Sequence, residues 1–412
     1  MSVPPVVPPI DQADPVLTPL VGDATLVFEN KAANPGIHAL VIGVSDYLHM
    51  PEGNGAGDAR ALGMRKLESP ALSAYRVAQW IVKNHAALER PVASVRLLIC
   101  PSAAEKNVEP ELKAAFVAPT LDNAAAATKA WQKSADSATD GMTIFFFSGH
   151  GIRDRNSNSA TMLFQDFGAP VRPHFFCSTE LQNIVDGMNP SATFTDLPLT
   201  QLYFLDACRA DVDPAVLLTA QSSQILDDGR AKDTRARPVY FATSLGGETY
   251  GKPGEVSVFA DAMIGALETG IDDATPVQNG DVVYPITSTS LGTQLVELVA
   301  AKKTGQFCQP GGVQKRAVLR VLKTPPKVQL TVNIAPTTTV PLSRVEVFDV
   351  VLGTVFGSYG PPPTHDHPYV IQVPAGIYRL AVFKPPTAVP PAAATQPLWI
   401  KNGFPPWTVN VP

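Results

Sequence analysis

The stretch Met142-Thr-Ile-Phe-Phe-Phe-Ser-Gly-His-Gly151 decides how this chain is read: a nearly uninterrupted apolar run ends in small residues and one imidazole. A run without apolar/polar alternation asks for burial on both faces, as in an interior strand of a parallel sheet. Four further runs of this kind surround it: His38-Ala-Leu-Val-Ile-Gly-Val44, Val95-Arg-Leu-Leu-Ile-Cys100, Leu202-Tyr-Phe-Leu205 and Val239-Tyr-Phe-Ala242. Helical stretches separate them. Ser69-Pro70 fits the N-cap and first turn of a helix with Tyr75, Ala78, Ile81 and Val82 on one face. Thr120 fits the cap of the next, and Phe259, Met263, Ala266 and Leu267 recur at helical spacing over Val258 to Glu268, ahead of Gly270. Strands alternating with helices predict an α/β fold with a mainly parallel sheet over residues 34–323.

Proline marks the limits of that region, since 6 of the 40 prolines fall in residues 1–22 and 17 in residues 325–412. Residues 1–33 read as a proline-rich, flexible extension. Beyond Thr324-Pro-Pro326 the pattern changes to short alternating segments such as Val328 to Ile334, Arg344 to Val350 and Gly376 to Phe383, which predict an all-β, sandwich-type domain over 324–412. At roughly 150 residues per domain, 412 residues accommodate such a division. With 45% hydrophobic and 17% charged residues the chain forms cores. A net charge of -5 argues against nucleic acid as a partner. The cysteines at 100, 177, 208 and 308 form no CxxC pair and read as reduced thiols. The N-terminus lacks a basic segment before its apolar residues, and no apolar run reaches the roughly 20 residues of a membrane span. Cytoplasmic location without membrane attachment is the expectation. No GxxxxGK[ST] loop supports an ATPase.

Two strand ends carry chemistry: Phe145 to Gly151, and Phe204-Leu-Asp-Ala-Cys-Arg209. In an open parallel sheet the crevice lies beyond the carboxyl ends of the strands, where His150 and Cys208 meet if their strands are neighbours. A thiolate attacks a carbonyl while an imidazole moves the proton to the leaving amine. Gly151, lacking Cβ, lets the backbone approach a scissile carbonyl and aim an N–H at the oxyanion, beside that of Cys208. Taken singly, a strand-end histidine is usually a satisfied one and a buried cysteine a small hydrophobe, the reading kept for Cys100, Cys177 and Cys308. Arg153-Asp-Arg155 reads either as a solvated loop or as a substrate contact. His365-Asp-His367 reads as a solvated loop, and no metal site is assigned.

Ser148-Gly-His-Gly151 after one apolar strand and Asp206-Ala-Cys208 at the end of another resemble the caspase-fold cysteine peptidases of clan CD, of bacterial caspase-like, metacaspase or paracaspase type. The caspase pattern sets its histidine roughly 50 residues before the cysteine; here the interval is 58. The resemblance covers residues 34–323, including Gly43-Val-Ser-Asp-Tyr47 and Ser257-Val-Phe-Ala-Asp-Ala-Met263, but not the β region. It implies a caspase-hemoglobinase fold, large-subunit-like to about 209, with a linker at 210–237 and a small-subunit-like part at 238–323. It also implies a C14-like cysteine endopeptidase.

Asp206 stands where eukaryotic caspases have Gln, and in metacaspases and paracaspases the equivalent acid helps line an S1 pocket for Arg or Lys. The resemblance therefore implies cleavage after Arg, with Lys second; the other reading of Asp206 is a bond to a backbone N–H at its turn. Phe241 to Glu248 resembles the paracaspase loop that supplies a further acid, making Glu248 the second S1 candidate. Near Ser73, where several relatives carry Asp, there is none, and Asp46 is the substitute. Arg230, Lys232, Arg235 and Arg237 lie in the linker as autocleavage candidates. Protein substrates, an upstream activating protease or a partner at the β domain, synthesis as a zymogen, and a role in stress, cell death or antiviral defence complete the expectation. No cofactor is required; calcium activation, known for some metacaspases, finds no EF-hand-like loop. Two other readings share the fold: a catalytically silent scaffold, and an Asn-specific, legumain-like peptidase.

Overall fold

A computed structural model describes residues 13–52, 60–153, 160–211, 222–227, 233–244, 246–247, 249–272, 275–276, 282–335, 344–359, 368–383, 391, 393–401 and 406–410. The chain divides into two compact units, Met1–Ala260 with Gly311–Val313, and Asp261–Pro310 with Gln314–Pro412. The first comprises β1 (Leu26–Glu29), β2 (Ile37–Val44), α1 (Pro70–Lys83), β3 (Val92–Cys100), α2 (Ala103–Val108), α3 (Leu121–Ala135), β4 (Met142–Gly149), β5 (Gly151–Arg153), β6 (Ala160–Leu163), β7 (Ser178–Glu180), α4 (Leu181–Gly187), β8 (Thr200–Ala207), β9 (Ala210–Asp211), β10 (Arg237–Phe241) and the start of α5 (Val258–Thr269). There follow β11 (Thr275–Pro276), β12 (Val282–Thr287), α6 (Ser288–Ala301), β13 (Gln309–Val313), β14 (Val318–Leu322), β15 (Lys327–Ala335), β16 (Arg344–Asp349), β17 (Thr354–Tyr359), β18 (Tyr369–Pro374), β19 (Gly376–Phe383), β20 (Ala393–Ala394), β21 (Leu398–Ile400) and β22 (Trp407–Asn410).

The five apolar runs are β2, β3, β4, β8 and β10, paired parallel in the order β3-β2-β4-β8-β10. Antiparallel β1 flanks β3, and β13 lies beyond β10. Every residue of β2, β3 and β4 is buried. That is the burial such apolar runs require, because helices cover both faces of a parallel sheet. Trp131 of α3 is buried against this sheet and donates its indole N–H to the His38 carbonyl.

Helix α1 begins with Pro70 after Ser69, as expected, but the Ser69 side chain makes no capping bond. Its first-turn amides are satisfied from elsewhere in the chain: Ala71 N–H donates to Ser45 Oγ at 3.0 Å and Leu72 N–H to Glu105 Oε1 at 2.9 Å. Glu105 also accepts from Ser45 Oγ and from Ser102 N–H. Orphan amides at a helix start need acceptors, and Glu105 supplies them although burial pushes its carboxyl up against the lowering effect of its donors. The buried face of α1 is broader than the expected stripe, running from Pro70 to Ile81 except Arg76, while Val82 is only half-buried. Thr120 does cap α3, accepting from Asn123 N–H.

The flexible-tail reading of residues 1–33 fails for its described part. Leu17 is 2% exposed and its N–H donates to the Tyr75 hydroxyl. Gln79 donates to the Pro15 carbonyl, Lys83 pairs with Asp14, and β1 joins the sheet. Few but well-placed apolar and hydrogen-bonding groups suffice to dock an extended segment on a helix already present.

In the second unit, β15, β18 and β22 form one sheet and β16, β17, β19 and β20 another, with β21 paired to β19. The alternation of β15 turns Val328, Leu330, Val332 and Ile334 into a common core with Val345, Val347, Leu380 and Val382 of the other sheet. This is sandwich packing. Ile271 and Ile286 belong to the same core. His365 and His367 lie outside the described residues.

Candidate active site

Strands β4 and β8 are parallel neighbours, with Ser148 opposite Asp206 and Gly149 opposite Ala207. His150 and Cys208 each follow the last paired residue, so both emerge at the carboxyl end of the sheet on adjacent strands, spaced about 4.8 Å apart. Each is half-buried and therefore reachable.

His150 is held through its backbone and its ring. Its backbone N–H donates to the Tyr47 hydroxyl at 2.7 Å, and the two rings pack with centroids 4.9 Å apart. Its Nε2 lies 2.7 Å from the Arg65 carbonyl oxygen. A carbonyl only accepts, so Nε2 carries the proton and Nδ1 keeps its lone pair. Burial pushes the imidazole down to about 4, helped by the Arg65 charge and opposed by the Arg65 carbonyl. The ring is thus neutral at physiological pH, the form a proton acceptor needs.

Cys208 Sγ accepts the Thr249 N–H at 3.3 Å and lies 3.5 Å from Thr249 Oγ1. The other three cysteines are buried, and burial pushes each thiol up to about 12, away from nucleophilic use.

Gly151 opens β5. A Cβ there would meet the Cys208 carbonyl oxygen at 2.7 Å and the Ala207 Cβ at 2.8 Å, so only glycine permits this approach of the two strand ends. Leu163 N–H donates to the His150 carbonyl, and β5 pairs antiparallel with β6, placing Gly151 opposite Met162. Because hydrogen-bonded and non-bonded pairs alternate in such a ladder, the Gly151 N–H points away from β6. On β5's other side lies β9, reached directly from Cys208.

Asp206 is 3% exposed, and its Oδ2 accepts from Ser148 Oγ at 2.8 Å and Ser257 Oγ at 2.6 Å. Burial raises its carboxyl to about 6, against the lowering effect of both hydroxyls. Among the described residues both donors to Asp206 are side-chain hydroxyls, not the backbone N–H of the alternative reading. Asp206, Ser148 and Ser257 line a cavity of about 700 Å³ that also takes in Gly149, Thr249 and Asp46. Asp46 is engaged by Lys66, which also pairs with Glu52. Ser73, at the position noted for its missing acid, accepts from Ser257 N–H and donates to the Ser69 carbonyl. Glu248 lies outside the described residues.

Among the linker candidates, Arg235 requires correction. It is 1% exposed and bonds Asp233, the Val185 carbonyl and Gln201 Oε1. A guanidinium so enclosed cannot be presented to an active site. Arg237 begins β10 and pairs with Asp233, so cutting there would open the central sheet. Arg230, Lys232 and Arg155 lie outside the described residues; Arg153 is half-buried at the end of β5.

Tyr47, Thr249, Ser148, Ser257 and the Arg65 carbonyl were not singled out as site groups by sequence reasoning. Ser148 had a signal, since it stands two residues before His150 as Asp206 stands two before Cys208. The others come from loops whose position no local pattern records.

Residues 37–282 match the caspase domain of peptidase family C14. With more than half of its length matched, the chain belongs to the caspase-domain family. The uncharacterized protein y4kE of Sinorhizobium fredii is similar to it, 22% identical over 279 residues that cover 64% of this chain and 76% of that protein. The crystal structure of GSU0716 from Geobacter sulfurreducens covers 70% of this chain and 94% of its own at 12% identity and a TM-score of 0.38, a likeness too slight to carry an argument. Among the described residues no helix is long and apolar enough to cross a membrane.

Proposed function

We propose that the chain is a cysteine endopeptidase that cleaves protein substrates after basic residues, Arg ahead of Lys. One observation carries the reading: a buried acid, Asp206, lies two residues before a strand-end cysteine and lines a cavity, and both its bonds from described residues go to Oδ2. In this reading the other oxygen, Oδ1, accepts from an entering guanidinium, within a cavity that Arg65, Lys66 and Lys106 also line. The planar fork of a guanidinium suits a carboxylate better than an ammonium does.

In this reading the Cys208 proton passes to His150 Nδ1, and the sulfur forms a bond to the scissile carbon as the carbonyl electrons move to oxygen. The Gly151 and Cys208 N–H groups take that oxyanion. His150 then returns the proton to the leaving amine, and water hydrolyses the thioester. Self-processing belongs to the same proposal and rests on Arg230 and Lys232. A regulated role in stress, cell death or antiviral defence, synthesis as a zymogen, and recruitment of an activator through residues 324–412 belong to it as well.

A fluorogenic panel with Arg, Lys, Asp and Asn at P1 tests the reading on wild type, Cys208→Ala and Asp206→Ala, with and without calcium. Arg turnover abolished by Cys208→Ala and lost selectively with Asp206→Ala is expected. Turnover after Asn, or none from a chain whose Cys208 is reactive and that has been cut within residues 210–237, overturns it.

A further inference from the structure

The nucleophile's sulfur is contacted by one residue twice. Thr249 brings both its N–H, at 3.3 Å, and its hydroxyl oxygen, at 3.5 Å, to Cys208 Sγ. The contact is built from both sides. Upstream, Arg209 N–H donates to the Gly247 carbonyl and Gly246 N–H to the Arg209 carbonyl, tying the loop to the residue after the nucleophile. Gly246 has φ of +78°, a left-handed conformation that glycine adopts without strain and that this tie requires. Downstream, Val258 N–H donates to the Tyr250 carbonyl. Thr249 is thereby fixed between two anchored residues, and it also lines the cavity that holds Asp206.

We propose that Thr249 is a further catalytic residue, a two-donor cradle for the Cys208 thiolate. The inference rests on the cysteine-nucleophile reading and adds a group to that site. When the thiol gives up its proton to the imidazole, the sulfur becomes a pure acceptor. The Thr249 hydroxyl then turns to donate alongside the N–H, and charge-assisted bonds of this kind are about twice as strong as neutral ones. Two fixed donors stabilise the negative charge that develops on the sulfur as the proton leaves. On acylation the sulfur loses its charge and the cradle releases it, so the hydroxyl acts on the free enzyme and on the attack step rather than on the thioester.

Alkylation of Cys208 by iodoacetamide, followed by intact mass, needs no peptide substrate and so separates this proposal from the peptidase reading. The full-length chain is compared with Thr249→Val, which keeps the N–H and the branched shape but removes the hydroxyl, and with Thr249→Ser, which keeps it. The expected result is a five- to twentyfold slower modification of Cys208 at neutral pH in Thr249→Val, with most of the rate retained in Thr249→Ser. Melting temperatures should agree among the three, as the side chain is half-buried. Equal rates in wild type and Thr249→Val, or equal losses in both variants, overturn the cradle. Should alkylation follow the expected order while no peptide is cleaved, the cradle stands and the peptidase reading falls.

Discussion

At the scale of single residues, the site is governed by desolvation acting in opposite directions on an acid and a base. Burial raises the Asp206 carboxyl to about 6 and lowers His150 to about 4. In the proposed reading the Asp206 carboxyl becomes neutral below about pH 6 and stops attracting a guanidinium. KM for Arg peptides is therefore expected to rise as pH falls through 6, and Asp206→Asn should abolish that dependence while raising KM about ten- to a hundredfold. A KM that stays flat from pH 8 to pH 5 in the wild type would contradict the assignment.

Stability responds to desolvation of buried groups in the same way. His38, 7% exposed with Nδ1 2.8 Å from Ser94 Oγ, is also lowered to about 4 by burial, with the Arg96 charge adding to the effect. Between pH 6.5 and 4 the unfolded chain binds this proton and the folded chain does not, so stability falls as pH falls through that window. Asp206 acts oppositely: its protonated form favours the fold, a contribution complete below pH 3.8 and lost as pH rises through 6. Replacing His38 with Asn should remove up to about 3 kcal/mol of the loss between pH 6.5 and 4, measured by urea unfolding at both pH values.

At the scale of elements, the decisive contact is between the ends of β4 and β8, where the chain turns into β5. Gly151→Ala places a methyl group against the Cys208 carbonyl oxygen and the Ala207 Cβ, so peptide turnover should drop at least a hundredfold. A stability loss of about 1–3 kcal/mol by denaturant titration should accompany it. The linker's two halves should also behave differently. Arg235→Ala removes a buried guanidinium from Asp233, Val185 and Gln201 and should destabilise the protein by about 3–5 kcal/mol. Arg230→Ala together with Lys232→Ala should leave the melting temperature unchanged and suppress self-cutting, read as intact mass. Processing that persists at its original position in the double variant would exclude both residues.

At the scale of the whole molecule, the β strands after residue 324 do not form an independent appendage, because Ile271 and Ile286 share a core with Val328, Leu330 and Val332. Ending the chain at Lys323 strips cover from both isoleucines. At about 25 cal/mol per Å² of apolar surface, that leaves 261–323 short of several kcal/mol. The truncated protein should melt at a lower temperature and bind more of a hydrophobic dye than the full chain; equal melting would show that 261–323 is self-sufficient.

Much of this architecture was legible in one dimension. Short continuous apolar runs, rich in β-branched and aromatic residues and bounded by loop residues, fit double-covered strands, so β2, β3, β4, β8 and β10 were readable to within a few residues. Alternation with helices then required parallel pairing. The ends of two such strands put forward His150, Cys208, Gly151 and Asp206 as candidates, because sites at a parallel sheet lie where its strands finish. These are consequences of local chemistry and of a short period, and neither depends on long-range detail.

Only the tertiary structure decided which groups complete the site. The Arg65 carbonyl, the Tyr47 hydroxyl, the Thr249 amide and the Ser257 hydroxyl act through positions set by loops, and a loop's course follows from what it packs against rather than from its own sequence. The docking of residues 13–25, the enclosure of Arg235 and the Lys66 pairing of Asp46 have the same origin. Each depends on which partner lies within hydrogen-bond distance after folding, and chain separation carries no record of that distance.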